Sequence, residues 1–201
     1  VLTWDQRPVA TIAGVDVSVK TESARAAIVV LRYPELTPFA AVMADAPLVF
    51  PSIPGFVSFR EGPAVLAAWS KIQNTPDLLM FDGQGIAHPR GIGIASQMGL
   101  WLERPTIGVA KSRLYGRHAE VGPQRGDRAA LLEKNGNVIG AVLRTRENTN
   151  PLYISPGHLI DVEHATQFAL TCSAGYRLPE PTRWAHKVAG GEKFPGADSD
   201  Q

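Results

Sequence analysis

Cysteine is almost missing from this chain. Cys172 is the single instance in 201 residues, which excludes an internal disulfide framework and suits a reducing compartment, so a cytoplasmic location is expected. No apolar run approaches the roughly 18 residues that a membrane span needs, and no membrane association is expected. A charged segment followed by an apolar core is lacking at the N-terminus, so no signal peptide is expected there. Zinc spacing is lacking too. The lone cysteine has no partner, and HPR and HLID carry single histidines. There is no repeat, linker or low-complexity segment, and the length suits one domain spanning 1–201.

Charge of one sign is also scarce overall, with a formal net charge of +1. Its distribution is uneven. Residues 104–146 hold nine Lys/Arg (Arg104, Lys111, Arg113, Arg117, Arg125, Arg128, Lys134, Arg144, Arg146) against three acids (Glu120, Asp127, Glu133). Charge alone favours a solvated, Arg-rich surface; with a nucleic-acid partner the same stretch would be a phosphate-binding face.

Periodicity divides the rest. TIAGVDVSV (11–19) alternates, with Ala13, Val15, Val17 and Val19 on one face and Gly14, Asp16 and Ser18 on the other, the pattern of a half-buried strand. AAIVVLRY (26–33) and FAAVMA (39–44) read as the next two strands of a meander. GPAVLAAWSKIQ (62–73) reads as a helix with Pro63 near its first turn and Val65, Leu66, Trp69 and Ile72 on one stripe. DLLMF (77–81) is a buried strand ending at Asp82. A helix is expected over about 91–102, a strand at PTIGVA (105–110), a hairpin at Asn135-Gly136, a helix capped by Asp161 and running to Cys172, and a last short helix after Pro181. Trp69 and Trp101 are expected in the core. This order predicts an α/β fold, a mixed sheet flanked by helices.

Three carboxylates stand out. Asp is disfavoured in strands, yet Asp16 interrupts one among small and apolar neighbours. Asp82 ends a buried run, where ligands gather in open sheets. Glu61 sits just ahead of the expected helix, a place that also suits a partner of the helix dipole. Taken singly, each has an ordinary structural reading, such as an Asx turn for Asp82. Taken as a set, oxygen-only acids suit Mg²⁺ or Mn²⁺.

GVDVS, PSIPGFVSFRE, FDGQGIAHPR, IGVAKSRLYG, SPGHLIDVEHA and YRLPEPTRWAH together resemble the endonuclease V family of deoxyinosine-directed repair nucleases. The resemblance runs from about residue 10 to 188, leaving 189–201 as an expected flexible tail. It implies a ribonuclease H-like fold and a monomeric, Mg²⁺-dependent endonuclease, with Mn²⁺ as an alternative ion. Such an enzyme cuts DNA containing deoxyinosine or other deaminated bases at the second phosphodiester bond 3′ to the lesion, leaving 3′-hydroxyl and 5′-phosphate ends. Some relatives prefer inosine in RNA, and the sequence does not separate the two substrates. A binding module with a dead metal site is the contrasting class, and three acids in place argue against it.

Carried over position by position, the resemblance makes Asp16, Glu61 and Asp82 metal-binding acids. It places Lys111, His88 and His186 near the scissile phosphate. It lines the base pocket with Gly55, Val57, Gly83, Gly93, Ile94 and Gly108, and it makes Ser52 and Ile53 the tip of a wedge that enters the duplex. The family usually has Pro-Tyr-Ile-Pro at this tip; here Ser52 takes the tyrosine's place. Pro51 and Pro54 stiffen it from either side.

Overall fold

A computed structural model describes residues 2–195. Eight strands form one mixed sheet: β1 (Thr11–Val19), β2 (Ser23–Arg32), β3 (Thr37–Pro47), β4 (Leu78–Asp82), β5 (Thr106–Ala110), β6 (Arg128–Leu132), β7 (Val138–Leu143) and β8 (Leu152–His158). Their spatial order is β3-β2-β1-β4-β5-β8-β7-β6. The contacts β1–β4 and β4–β5 are parallel and the remainder antiparallel. Helices α1 (Val57–Trp69), α2 (Ile94–Leu102), α3 (Val162–Thr171) and α4 (Glu180–Ala189) complete the fold. The expected α/β, ribonuclease H-like sheet flanked by helices is the one observed. No helix among the described residues is long and apolar enough to cross a membrane.

Strand alternation distributes the helices over two layers. Ala13, Val15, Ile28, Val30, Leu79 and Phe81 face α1 and α2. Ile12, Leu78, Met80, Ile107 and Val109 face α3, while Ala27, Val29 and Leu31 face α4. Leu78, Leu79, Met80 and Phe81 are at most 1% exposed. At about 1.5–3 kcal/mol for each buried side chain of this size, β4 is a rigid support for the carboxylate that ends it.

Four sequence expectations change. β1 is covered on both faces rather than one along its first half, because α4 crosses it closely. A Cβ on Gly14 would lie 1.7 Å from the carbonyl oxygen of Pro181, so the small residue on the supposedly open face is what admits the helix. α1 begins at Val57, not near Pro63, and carries Pro63 in its interior. A turn sets this start: Phe56 N–H donates to Ile53 C=O at 3.0 Å, with Gly55 at φ +80°, a conformation few other residues adopt. Glu61 therefore sits within the helix rather than ahead of it. Trp101 is 48% exposed rather than in the core; α2 turns Ile94, Ala95, Met98 and Leu102 inward and leaves Trp101 on the outer side. Finally, β8 was not anticipated. LYISPGH contains a proline and a glycine, which read as strand breakers. The strand absorbs them at a register shift, pairing Ile107 with Pro156 and Thr106 with His158 and skipping Gly157.

Asp161 caps α3 as expected, accepting from His164 N–H at 2.8 Å. Of the tail expected to be flexible, residues 196–201 lie outside the described part. Within it, Phe194 packs edge-on against Trp184 at 6.5 Å. Cys172 is fully buried on the α3 side, and burial, with the charge of Glu180 second, pushes its thiol up to about 12. The native protein is therefore expected to resist iodoacetamide at pH 8, with alkylation appearing only when the chain unfolds in denaturant. Mass spectrometry of native and unfolded samples checks this; rapid native labelling would contradict the burial.

Candidate active site

The site forms where β1 and β4 stop pairing. Val15 and Phe81 are the last partners of the two parallel strands, and Asp16 and Asp82 follow them side by side. Both then point to the layer opposite Val15 and Phe81, toward α4. From that helix, His186 Nδ1 meets Asp16 Oδ2 at 2.8 Å. The other oxygen, Asp16 Oδ1, accepts from Val17 N–H at 2.8 Å. One ligand atom each from Asp16, Asp82 and His186 lie within 4.8 Å of one another. Lys111, directly after β5, donates from Nζ to Asp82 Oδ2.

Glu61 approaches from α1 on the other layer and stands outside that three-residue group. It still feels the group. Burial first, and then the negative charges of Asp16 and Asp82, raise its carboxyl to about 7, with Arg60 opposing. Burial and Asp16 likewise raise Asp82, while Lys111 pulls it back. Two like charges held together in a half-buried site, with one lysine and one histidine beside them, leave negative charge that a cation can neutralise. The donors are carboxylate oxygens plus one imidazole, which fits a hard divalent ion. His186 thus joins the candidate ligands; the sequence placed it only near the phosphate, because no spacing rule links residue 186 to residue 16.

His88 lies elsewhere. It is 5% exposed, in the loop between β4 and α2. Burial, with Arg90 second, lowers its pKa and favours the neutral ring. Arg90 N–H donates to His88 Nδ1 at 3.2 Å, which leaves the proton on Nε2. That edge lies beside Gly55: a Cβ there would meet His88 Nε2 at 3.5 Å. The tip residues Ser52 and Ile53 are exposed. With Val19, Phe56, Val57, Arg60 and Glu61 they border a cavity of about 270 Å³.

The glycines expected in a base pocket divide into two groups. Gly55 and Gly83 are half-exposed. Gly93 and Gly108 are buried behind the 83–85 loop, where a Cβ would come 2.4 Å from Gln84 O and 2.3 Å from Gly85 N respectively. Ile94 is also buried, its Cγ2 placed 2.7 Å from a Cβ on Gly83. These three shape the loop from behind. The basic stretch divides likewise. Arg125 donates to the carbonyls of Leu170 and Ser173, Arg144 to those of Gly122, Val121 and Thr149, and Arg128 pairs with Glu163. Part of the apparent phosphate face is therefore internal bracing.

The family model described as Endonuclease V matches residues 2–187. The chain belongs to the endonuclease V family. The endonuclease V of Nostoc punctiforme is 49% identical over 193 residues, covering 94% of this chain and 87% of that one. That of Methanothrix thermoacetophila is 49% identical over 178 residues, 89% and 79% of the two chains. Among solved structures, the endonuclease V of Streptomyces avermitilis superposes with a TM-score of 0.89 at 36% identity, over 94% of this chain and 85% of that one. The catalytic domain of human endonuclease V gives 0.86 at 32%, over 94% and 88%. Membership makes this chain a nuclease, and the acid group at the β1–β4 junction is its candidate centre.

The raised carboxyl of Glu61 has a consequence for stability. The unfolded chain releases this proton near the ordinary 4.5, whereas the fold retains it to about 7. The folded state then binds the extra proton, so stability is lost as pH rises through that window. In EDTA-treated protein, Glu61→Gln is expected to remove this loss and to raise stability at pH 8 by up to about 3 kcal/mol. Urea titrations at pH 4.5 and 8 measure it; an equal pH response in parent and variant would contradict the burial of Glu61 beside the two acids.

Proposed function

We propose that this family member is a DNA repair endonuclease. It takes deaminated bases, chiefly deoxyinosine, and hydrolyses the second phosphodiester bond on their 3′ side, leaving 3′-hydroxyl and 5′-phosphate ends. The observation that carries the reading is the convergence of Asp16, Asp82 and His186, with Lys111 on Asp82 and Glu61 alongside, beside a stiff exposed tip and a glycine-rich loop. The Ciona intestinalis endonuclease V, whose structure contains DNA with an inosine followed by a ribo-adenosine, shares the fold at a TM-score of 0.78 over 94% of this chain and 90% of that one.

Asp16 and Asp82 would hold Mg²⁺, or Mn²⁺, with His186 as a further donor and Glu61 acting directly or through water. Bound there, the ion lowers the pKa of a coordinated water and offsets charge on phosphoryl oxygens. The side chains do the remainder. Asp16 is oriented by Val17 N–H and His186, so its second oxygen cannot rotate away. Lys111 Nζ, held at Asp82 on the solvent side, adds a point charge where a phosphate would lie. His88 offers an Nε2–H donor beside Gly55. Reading a modified base requires its removal from the stack. The backbone of the 83–85 loop can then approach that base closely, because Gly93 and Gly108 let the loop settle deep. Hypoxanthine lacks the exocyclic amine of guanine, so a tight backbone wall can exclude guanine. The Ser52–Ile53 tip is read as the wedge that fills the vacated gap, with Ser52 less able to do so than an aromatic residue.

Asp82→Asn is expected to fold normally and to lose two to three powers of ten in single-turnover nicking of an inosine-containing duplex, about 3–4 kcal/mol of barrier. Near-parental nicking by folded Asp82→Asn in Mg²⁺ would overturn the assignment. Lys111→Ala is expected to lower the cleavage rate more than the affinity, the signature of a contact made chiefly in the transition state. Running matched DNA and RNA oligonucleotides, each with one inosine, decides the substrate class: faster cleavage of the RNA would turn the reading to an inosine-directed ribonuclease.

A further inference from the structure

One side chain ties the tip loop to the body of the protein. Among the described residues, a single hydrogen bond joins residues 49–56 to anything beyond the loop and its own helix. It runs from Arg90 Nη2 to the carbonyl of Gly55, at 2.9 Å. The same guanidinium lies 3.5 Å from the ring centroid of Phe56. Phe56 meets Phe50 at 6.0 Å and Phe59 at 5.9 Å, and those two meet at 5.8 Å, so three rings form the base of the tip. A Cβ on Gly55 would come 3.0 Å from Arg90 Nη2. The backbone of Arg90 meanwhile fixes the ring of His88. Arg90 is exposed and has no part in the metal group. Its side-chain contacts are with Gly55 and Phe56 of the loop.

We propose that Arg90 is the positioning residue for the tip. Stacked on Phe56 and bonded to the Gly55 carbonyl, it fixes the pose in which Ser52 and Ile53 meet a duplex and holds that pose in register with the loop carrying His88. The proposal rests on the wedge reading of the tip given above. It also explains why a stiff loop needs an anchor. Pro51 and Pro54 remove freedom inside the loop, but the hinge at its base is set only by what grips it. A guanidinium supplies a flat face and an N–H in fixed directions at once, whereas a lysine ammonium donates from a freely rotating point charge and has no flat face to stack.

A four-way comparison of the parent, Ser52→Tyr, Arg90→Lys and the double variant tests this. Affinity is measured in Ca²⁺ for an inosine-containing duplex and for the same strand alone, with thermal unfolding as a check on the fold. Ser52→Tyr is expected to tighten duplex binding by roughly 5- to 150-fold, the worth of one aromatic–base stack. In the Arg90→Lys background that gain is expected to shrink at least about fivefold and to vanish where the gain itself is no larger, because the stack and the charged hydrogen bond that hold the tip are lost. Arg90→Lys alone is expected to weaken duplex binding and leave the single strand within about twofold. Phe56→Leu, which keeps apolar bulk but removes the ring face, is expected to give the same pattern. A Ser52→Tyr gain of equal size with and without Arg90 overturns the anchoring role and leaves the wedge standing. No gain in the parent overturns the wedge reading itself. Equal losses on duplex and single strand would make Arg90 a phosphate contact and also overturn the proposal.

Discussion

Asp16 and Asp82 repel each other, and the fold holds them together nonetheless. Each directly follows the ladder that Ile12–Val15 and Leu78–Phe81 build on adjacent parallel strands, and each is still paired on its other side, Asp16 with Ala27 and Asp82 with Val109, so neither backbone can move without breaking the sheet. Burial first, and that crowding second, raise the carboxyls of Asp82 and Glu61. A buried, apolar β4 is what makes the arrangement sustainable, because its side chains contribute hydrophobic stabilisation on both faces of the sheet. Lys111 and His186 relieve part of the repulsion. They arrive from β5 and α4, so the centre depends on four separate segments packing correctly.

Around this charge centre the surroundings differ in rigidity. The 83–85 loop is wedged between the backbones of Gly93 and Gly108 and roofed by Ile94, with almost no space for added atoms. The tip loop is exposed and stands on three aromatic rings and one arginine. A deep, fixed backbone surface suits discrimination of a base edge by close contact. An exposed and preorganised tip suits entry into a duplex without further ordering cost. The two parts meet at Gly55, which lies against His88 and Arg90.

Much of the centre was legible in the sequence. Asp16 is conspicuous because an acid is disfavoured within a strand of small and apolar neighbours, and Asp82 because it follows an apolar run. Period-2 and period-3.6 patterns located most elements, and the Asn135-Gly136 turn marked the β6–β7 hairpin. Some features resisted. β8 was hidden by Pro156 and Gly157, since a bulge that accommodates them exists only once β5 lies alongside. The start of α1 is masked because Pro63 resembles a first-turn residue, whereas the Ile53–Phe56 turn sets the true beginning. The apolarity of Trp101 suggests the core, but its position on α2 puts it on the outer side.

The sequence by itself determined the family and the fold class and singled out three acids as candidates, because those readings depend on local pattern and on ordered motifs that need no partner to be recognised. Only the tertiary structure decided which groups share a site. His186 reaches Asp16 across 170 residues, Glu61 feels the acids from a different layer while staying outside their group, and Arg125, Arg128 and Arg144 spend their charge on internal carbonyls and on Glu163. Spacing along a chain carries no record of such meetings. They arise where strand register and helix packing bring distant segments within hydrogen-bond reach, and that is fixed by the burial of the whole core rather than by any one stretch of residues.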